Sequence, residues 1–456
     1  MGRHSRRRRY APRGPLAVLL ALAVAAQLLA GLSALRLRAD DSRSSRASVG
    51  RGADETTATA RRAALEERAD SVRALLDRRA RAVLTRDRAL FLSVIDPQAA
   101  DFRQRQARVF DALADVPIGS WVYDLNPDRE TPYDPSLLGH YGTDTWVPEI
   151  VLRYQLEGFD PHPAASEQYL TFVRRDAGWL LANDDDFPGV PSLQTERELW
   201  DFGPVEVVRG RHTLVLGRRG RRPMLQEIAR QSDAAVPRVT KVWGADWTQR
   251  VVVLVPETQA ELGTILSEGN DLSQIAAVAV AQLGGADLDV RTVGNRIIVN
   301  PPNFAKLTRL GRQVVLQHEI THVATRDHTG PATPVWLIEG FADYVGYLGS
   351  GISVRSAARE LRADVRAGRV PAVLPGDEEF GGTHTSLAQS YEMAWLACRL
   401  IAERTGARGL VAFYRYVGTT HGVAVDVRRE GFRRVLSTTP ESFTTAWRGY
   451  LRSELG

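Results

Sequence analysis

The sequence predicts an α+β protein in three parts: an N-terminal transmembrane helix, an α+β domain with a curved antiparallel sheet, and a mostly helical domain with a small edge sheet. Three observations carry this reading. Residues 15–35 run without a charge. Apolar positions then recur at three- and four-residue spacing to about residue 114 and at two-residue spacing from Trp121, which is the change from helix to strand periodicity. Lastly, His318-Glu319-Ile320-Thr321-His322 lies in an apolar run led by Leu307, Leu310, Val314, Val315 and Leu316, which reads as a buried helix.

Composition bounds the rest. A chain of 456 residues exceeds what one core usually serves, so two folded domains beyond the N-terminal segment are expected. The net charge of +5 invites a nucleic-acid partner, but Lys241 and Lys306 are the only lysines and acidic residues are interleaved throughout. No nucleic-acid partner is expected, and the alanine and arginine richness fits a GC-rich bacterial genome. The single cysteine, Cys398, falls in an apolar helical stretch and reads as a small buried hydrophobe.

Residues 1–14 form a basic tail carrying Arg3, Arg6, Arg7, Arg8, Arg9 and Arg13. Residues 15–36 are expected to span a membrane, because a helix of about twenty residues covers the roughly 30 Å of a bilayer core. The basic flank places the N-terminus in the cytoplasm and the rest outside, a single-pass cell-membrane protein. If the segment is instead a cleaved signal peptide, the protein is secreted. Residues 37–59, rich in Ser, Arg, Gly and Ala, read as a flexible linker.

From Ala60 the periodicity predicts three helices, about 60–84, 87–95 and 99–114. Strands are expected near Trp121–Leu125, Glu149–Leu156, Gln168–Arg175 and Trp179–Asn183, the last two joined by the turn Asp176-Ala177-Gly178. Asp184-Asp185-Asp186 reads as a solvated turn. This order of elements over residues 60–217 resembles the nuclear-transport-factor-2-like (SnoaL-like) cone fold, a likeness of pattern that implies a pocket-bearing or docking domain. The arginines Arg218, Arg219, Arg221 and Arg222 read as an inter-domain linker.

In residues 218–456, strands are expected at Arg250–Val255 and Arg296–Asn300, and short helices at 259–266 and 271–283. After Glu339 the chain is predicted helical except for a long loop, 371–386, which carries Gly381, Gly382 and His384 and reads as a mobile lid.

His318 and His322, four apart, share one helix face and can present two imidazoles to one metal ion. Glu319 stands beside the first, where a carboxylate can take a proton from water. Glu339 on the next predicted helix is the third candidate ligand, and Asp343, one turn on, can accept the free ring N–H of a liganding histidine. Three ligands leave a position for water, the pattern of metal-assisted hydrolysis rather than of a closed structural site.

His318-Glu319-x-x-His322 followed by Trp336-Leu337-x-Glu339-Gly340-x-Ala342-Asp343-Tyr344 resembles the gluzincin zinc peptidases, in particular their peptidase MA-like branch, over residues 223–456. The resemblance implies one zinc held by His318, His322 and Glu339, Glu319 as general base, Asp343 behind a histidine ligand, and a peptide or protein substrate. It also places the 296–300 strand at the edge of the cleft, with Asn300 and Pro301 approaching the substrate. Tyr391, within Ala388-Gln389-Ser390-Tyr391, resembles a position where a tyrosine hydroxyl stabilises the oxyanion; His384 and His421 are rivals for that role. Two other readings stay open: a membrane-tethered binding or assembly factor with a silent zinc site, and a zinc hydrolase of cell-wall material.

Overall fold

A computed structural model describes residues 53–266, 275–283, 292–381, 384 and 386–456. A 33-residue helix, Ala53–Thr85, comes first. It buries Val72, Leu75, Leu76 and Val83, a stripe at helical spacing, and it begins seven residues before the expected Ala60. Two shorter helices, Arg88–Ser93 and Ala100–Ala112, follow.

Six strands come next: β1 (Ile118–Glu130), β2 (Thr145–Trp146), β3 (Pro148–Leu156), β4 (Ala164–Gln168), β5 (Thr171–Arg175) and β6 (Gly178–Asn183). They do not make the single curved sheet expected of a cone. They form two three-stranded antiparallel sheets, ordered β1-β3-β4 and β2-β5-β6. The split falls at Tyr169-Leu170, where the chain leaves its pairing with β3 and turns to pair β5 with β6. Alternation survives locally: β3 buries every second residue from Pro148 to Leu156, as a strand with one covered face must.

A five-stranded sheet then crosses the expected domain boundary. It comprises β7 (Val205–Arg209), β8 (Thr213–Arg218), β9 (Val251–Val255), β10 (Ala277–Leu283) and β11 (Thr292–Val299), in the order β10-β11-β9-β8-β7. β8, β9 and β11 run parallel, with β7 and β10 antiparallel at the edges. All five residues of β9, Val-Val-Val-Leu-Val, are buried, as a central strand covered on both faces requires. A cut at 217 would therefore split one sheet, and the apolar core runs continuously from Ala69 to Leu455. The expected arginine linker shrinks to three residues between β8 and the Arg222–Trp243 helix. Arg222 there pairs with Glu206 at 3.0 Å.

The remaining chain is helical: Pro301–Lys306, Arg309–Thr325, Val335–Tyr347, Arg359–Arg366, Leu387–Thr419, Ala424–Arg434 and Pro440–Leu455. The Arg309–Thr325 helix packs against Arg222–Trp243 on one side and Val335–Tyr347 on another, and the latter lies on Leu387–Thr419. Two glycines set these distances. A Cβ at Gly340 would stand 2.3 Å from the Ala394 carbonyl oxygen, and one at Gly346 would stand 3.2 Å from that of Val314.

The transmembrane part of the expected fold class, and with it the single-pass membrane location, is corrected. Among the described residues no helix is long and apolar enough to cross a membrane. The longest helices fail for a plain reason, since Ala53–Thr85 carries charges at Arg61, Arg62, Glu66, Glu67 and onward and burying them in hydrocarbon is costly. The segments 1–14 and 15–36, and most of 37–59, lie outside the described residues.

Two smaller expectations also change. Residues 277–283, read as helical, form β10, because Ala-Val-Ala-Val alternates with period two. The 371–386 loop is held in place where it is described: Asp377 Oδ1 accepts the Val335 backbone N–H at 2.9 Å, and Phe380 is buried edge-on against Tyr391.

Candidate metal centre

The site is built from two crossing helices. Thr308 caps Arg309–Thr325 by accepting the Gly311 N–H, which sets where the first turn starts and so which face His318 and His322 share. Pro334 opens Val335–Tyr347 without a side-chain cap of its own; Asp377 supplies one from the loop. The close packing at Gly340 and Gly346 then brings Glu339 and Asp343 against the histidines.

His318 Nε2 and His322 Nε2 are 2.9 Å apart, and Glu339 Oε2 lies 3.4 Å from the first and 3.5 Å from the second. These are the donor–donor edges of a tetrahedral ion with bonds of about 2.0–2.1 Å, which run to about 3.3 Å. Of the other Glu339 oxygen, Oε1 is buried with no hydrogen-bond partner. A buried carboxylate with an orphaned oxygen and two imidazole nitrogens converging on the other is an arrangement that a divalent cation satisfies and solvent does not. His₂Glu is a zinc donor set, so the residues present fit zinc.

The electrostatics follow from burial and proximity. Burial favours the neutral form of His318, but the Asp343 and Glu339 carboxylates overcome it and hold the ring at about 10. Burial lowers His322, with Glu339 opposing. Glu339 stays ionised against its burial, at about 2, because both histidines face it. His318 Nδ1 lies 2.9 Å from Asp343 Oδ1. Asp343 accepts that N–H; a cation binding at Nε2 would displace the second ring proton and leave Nδ1–H on Asp343.

Glu319 is buried beside the ligands, and desolvation pushes it up to about 8, with His318 opposing and Glu339 adding. The backbone N–H of Ala279 also supports its ionised form. Ala279 lies on β10, and its carbonyl accepts from Arg326 Nη2 at 2.9 Å. Glu319 and Arg326 thus tie the metal helix to the outer edge of the sheet. The edge strand is β10, whereas the 296–300 segment expected there is β11, one strand in. Asn300 is fully buried, and its N–H is spent on the Ala276 carbonyl.

Arg326 was not singled out from the sequence. Its signal was available, because it stands four residues after His322 and so one turn along the same face. Burial lowers it to about 10, with Glu319 opposing.

Tyr391 is buried on Leu387–Thr419, edge-on against Phe380. His384 accepts the Ser386 N–H at 3.4 Å, and His421 is exposed in the turn after that helix. The acidic triplet is also not the solvated turn expected. Asp184 is buried and bound by Gln106 and Arg197, and Asp186 accepts from Tyr141, Thr171 and Asn183. Only Asp185 of the three is exposed.

No protein-family profile matches the chain, and no curated protein matches it. Among solved structures it is similar to an M1 zinc metallopeptidase from Deinococcus radiodurans, at 16% identity and a TM-score of 0.32 over 62% of this chain and 60% of that one. A mutant M1 zinc metallopeptidase from that organism, bound to a Tyr-Ser-Ala substrate, gives 14% and 0.32 over 64% and 61%. A mutant two-domain M1 zinc metallopeptidase bound to L-arginine gives 16% and 0.31 over 64% and 60%. The chain thus spans about 60% of the length of these structures. Likenesses this slight carry no argument for this chain, and they lend none to a cone fold over residues 60–217. The chemistry of the site rests on its own side chains.

Proposed function

We propose that the chain is a zinc-dependent metallopeptidase. The observation that carries this is the convergence of His318 Nε2, His322 Nε2 and Glu339 Oε2 within 2.9–3.5 Å of one another, with Glu319 buried alongside and uncommitted to the ligand set. When bound there, zinc supplies a Lewis acid that polarises a carbonyl and lowers the pKa of water at an open position toward neutrality.

Glu319 takes the proton from the attacking water and passes it to the leaving amine. Its burial beside the ligands raises its affinity for that proton. Asp343 fixes the ring of His318 through Nδ1 and keeps the ligand set aligned. Arg326 holds the Ala279 carbonyl and so fixes β10 beside Glu319. Among the described residues β10 is the edge strand of the sheet, and its outer side at Ala279 is held by Glu319 and Arg326.

The test is metal content and peptide-library cleavage for the wild type beside Glu319→Gln. One zinc per chain in both, with cleavage reduced about 100-fold or more in the variant, is expected. Zinc in neither protein would overturn the assignment of the ligands. Zinc in both with equal cleavage would remove Glu319 from its role, and zinc in both with no cleavage in either would remove the peptidase.

A further inference from the structure

The outer side of β10 at Ala279 carries two contacts from the metal helix that holding a cation does not itself require. In an antiparallel strand the N–H and C=O of one residue face the same side. The Ala279 carbonyl turns away from β11 to accept from Arg326 Nη2 at 2.9 Å, so the Ala279 N–H turns away as well. Its acceptor is the Glu319 carboxylate. One strand residue thus has both backbone groups spent on side chains of one helix.

Helix geometry makes this possible. Arg326 closes the Arg309–Thr325 helix in helical conformation, with φ −53° and ψ −49°. It follows Glu319 by about two turns on the same face, with His322 between them. The helix packs on β10 and Ala279 is buried, so its two polar groups depend on these partners. Stability alone does not account for the arginine. Its Nε is buried without a partner, and burial of a cation costs more than one bond to a neutral carbonyl returns. Glu319 acts on its charge.

We infer that Arg326 is a positioning residue for the general base and acts through the backbone of Ala279. Arg326 fixes the carbonyl and with it the strand residue, whose N–H then holds one oxygen of Glu319 and leaves the other for water. The effect on turnover rests on the peptidase reading of the site; the clamp on Ala279 does not.

The test uses the full chain and two readouts. The first, independent of turnover, is hydrogen exchange at the Ala279 amide. Arg326→Met and Glu319→Ala should each speed that exchange about tenfold or more, and Arg326→Lys, which keeps a donor, should stay nearer the wild type. The second is peptide cleavage. Arg326→Met should lower kcat about tenfold, with KM and zinc content unchanged. Ala279→Pro removes an N–H that lies outside the ladder, where an edge strand accepts proline, and should lower kcat to a similar level. Because both act on one path, Arg326→Met should add less than about twofold in the Ala279→Pro background. Unchanged exchange in a folded Arg326→Met would overturn the clamp whatever the activity. A fully multiplicative loss in the double variant, or a rise in KM alone, would overturn the positioning role. A wild type that cleaves nothing would strike the peptidase reading and leave the exchange rates to decide the clamp.

Discussion

Asp160 in the β3–β4 turn and Arg296 on the five-stranded sheet form a buried ion pair, and breaking it should cost more than removing any surface bridge. Arg296 on β11 and Asp160 in the β3–β4 turn meet in a bidentate pair, Nη1 to Oδ1 at 2.6 Å and Nη2 to Oδ2 at 2.8 Å, each side chain 2% exposed. Asp160 Oδ2 also accepts the Leu156 N–H at 2.8 Å. Asp160→Ala removes three charge-assisted hydrogen bonds and leaves the guanidinium in the core. Severing one partner of such a pair costs about 3–5 kcal/mol. The lower end applies here, because Glu198 remains near enough to act on the Arg296 charge. A loss of about 3 kcal/mol is a large share of a typical total of about 5–15 kcal/mol. The assay is urea unfolding followed by tryptophan fluorescence, with Asp160→Leu, Arg296→Met and the double variant Asp160→Leu/Arg296→Met completing a cycle. The double variant should recover about 1–4 kcal/mol relative to Asp160→Ala, since apolar side chains replace a buried pair well. A loss below about 1 kcal/mol for Asp160→Ala, or a double variant equal to the sum of the singles, would refute the coupling.

Asp343→Asn should weaken zinc affinity about 10- to 100-fold without abolishing it, measured by competition with a chelator; unchanged affinity would remove Asp343 from its place behind His318. Gly340→Ala drives a methyl to 2.3 Å from the Ala394 carbonyl, so it should destabilise by about 1–3 kcal/mol and lower zinc affinity by displacing Glu339; a wild-type melting temperature would show that the two helices can separate at no cost. Glu392 gives a pH dependence. Burial, with Glu360 beside it, pushes Glu392 up to about 9, so the folded state holds its proton where the unfolded chain has released it. Stability from this group is therefore full below about pH 4.5 and falls as pH rises toward 9. Glu392→Gln should flatten the fall of the urea midpoint between pH 5 and 9, and an unchanged slope would contradict the assignment.

Local chemistry was legible in the sequence wherever spacing alone decides it. His318 and His322 lie on one face because a helix repeats every 3.6 residues, and β3 alternates because a strand repeats every two. The register of Glu339 and Asp343, four apart, follows from the same rule. Sequence periodicity likewise placed the first three helices, apart from the earlier start at Ala53, and the strands β3, β5 and β6 to within a few residues; it caught only the first half of β1 and missed β2 and β4.

What only the tertiary structure decided is which of these pieces meet. The apolar run shows that β11 is a strand but not that β10, read as helical, lies outside it as the edge, because sheet order depends on long-range pairing. It could not show that β7 and β8 belong with β9, nor that the chain changes partners between β4 and β5. The acidic triplet looked solvated because burial of a carboxylate depends on partners distant in sequence: Gln106 lies 78 residues from Asp184, and Tyr141 lies 45 from Asp186. Periodicity fixes which face of an element a residue occupies, and packing alone fixes what that face touches.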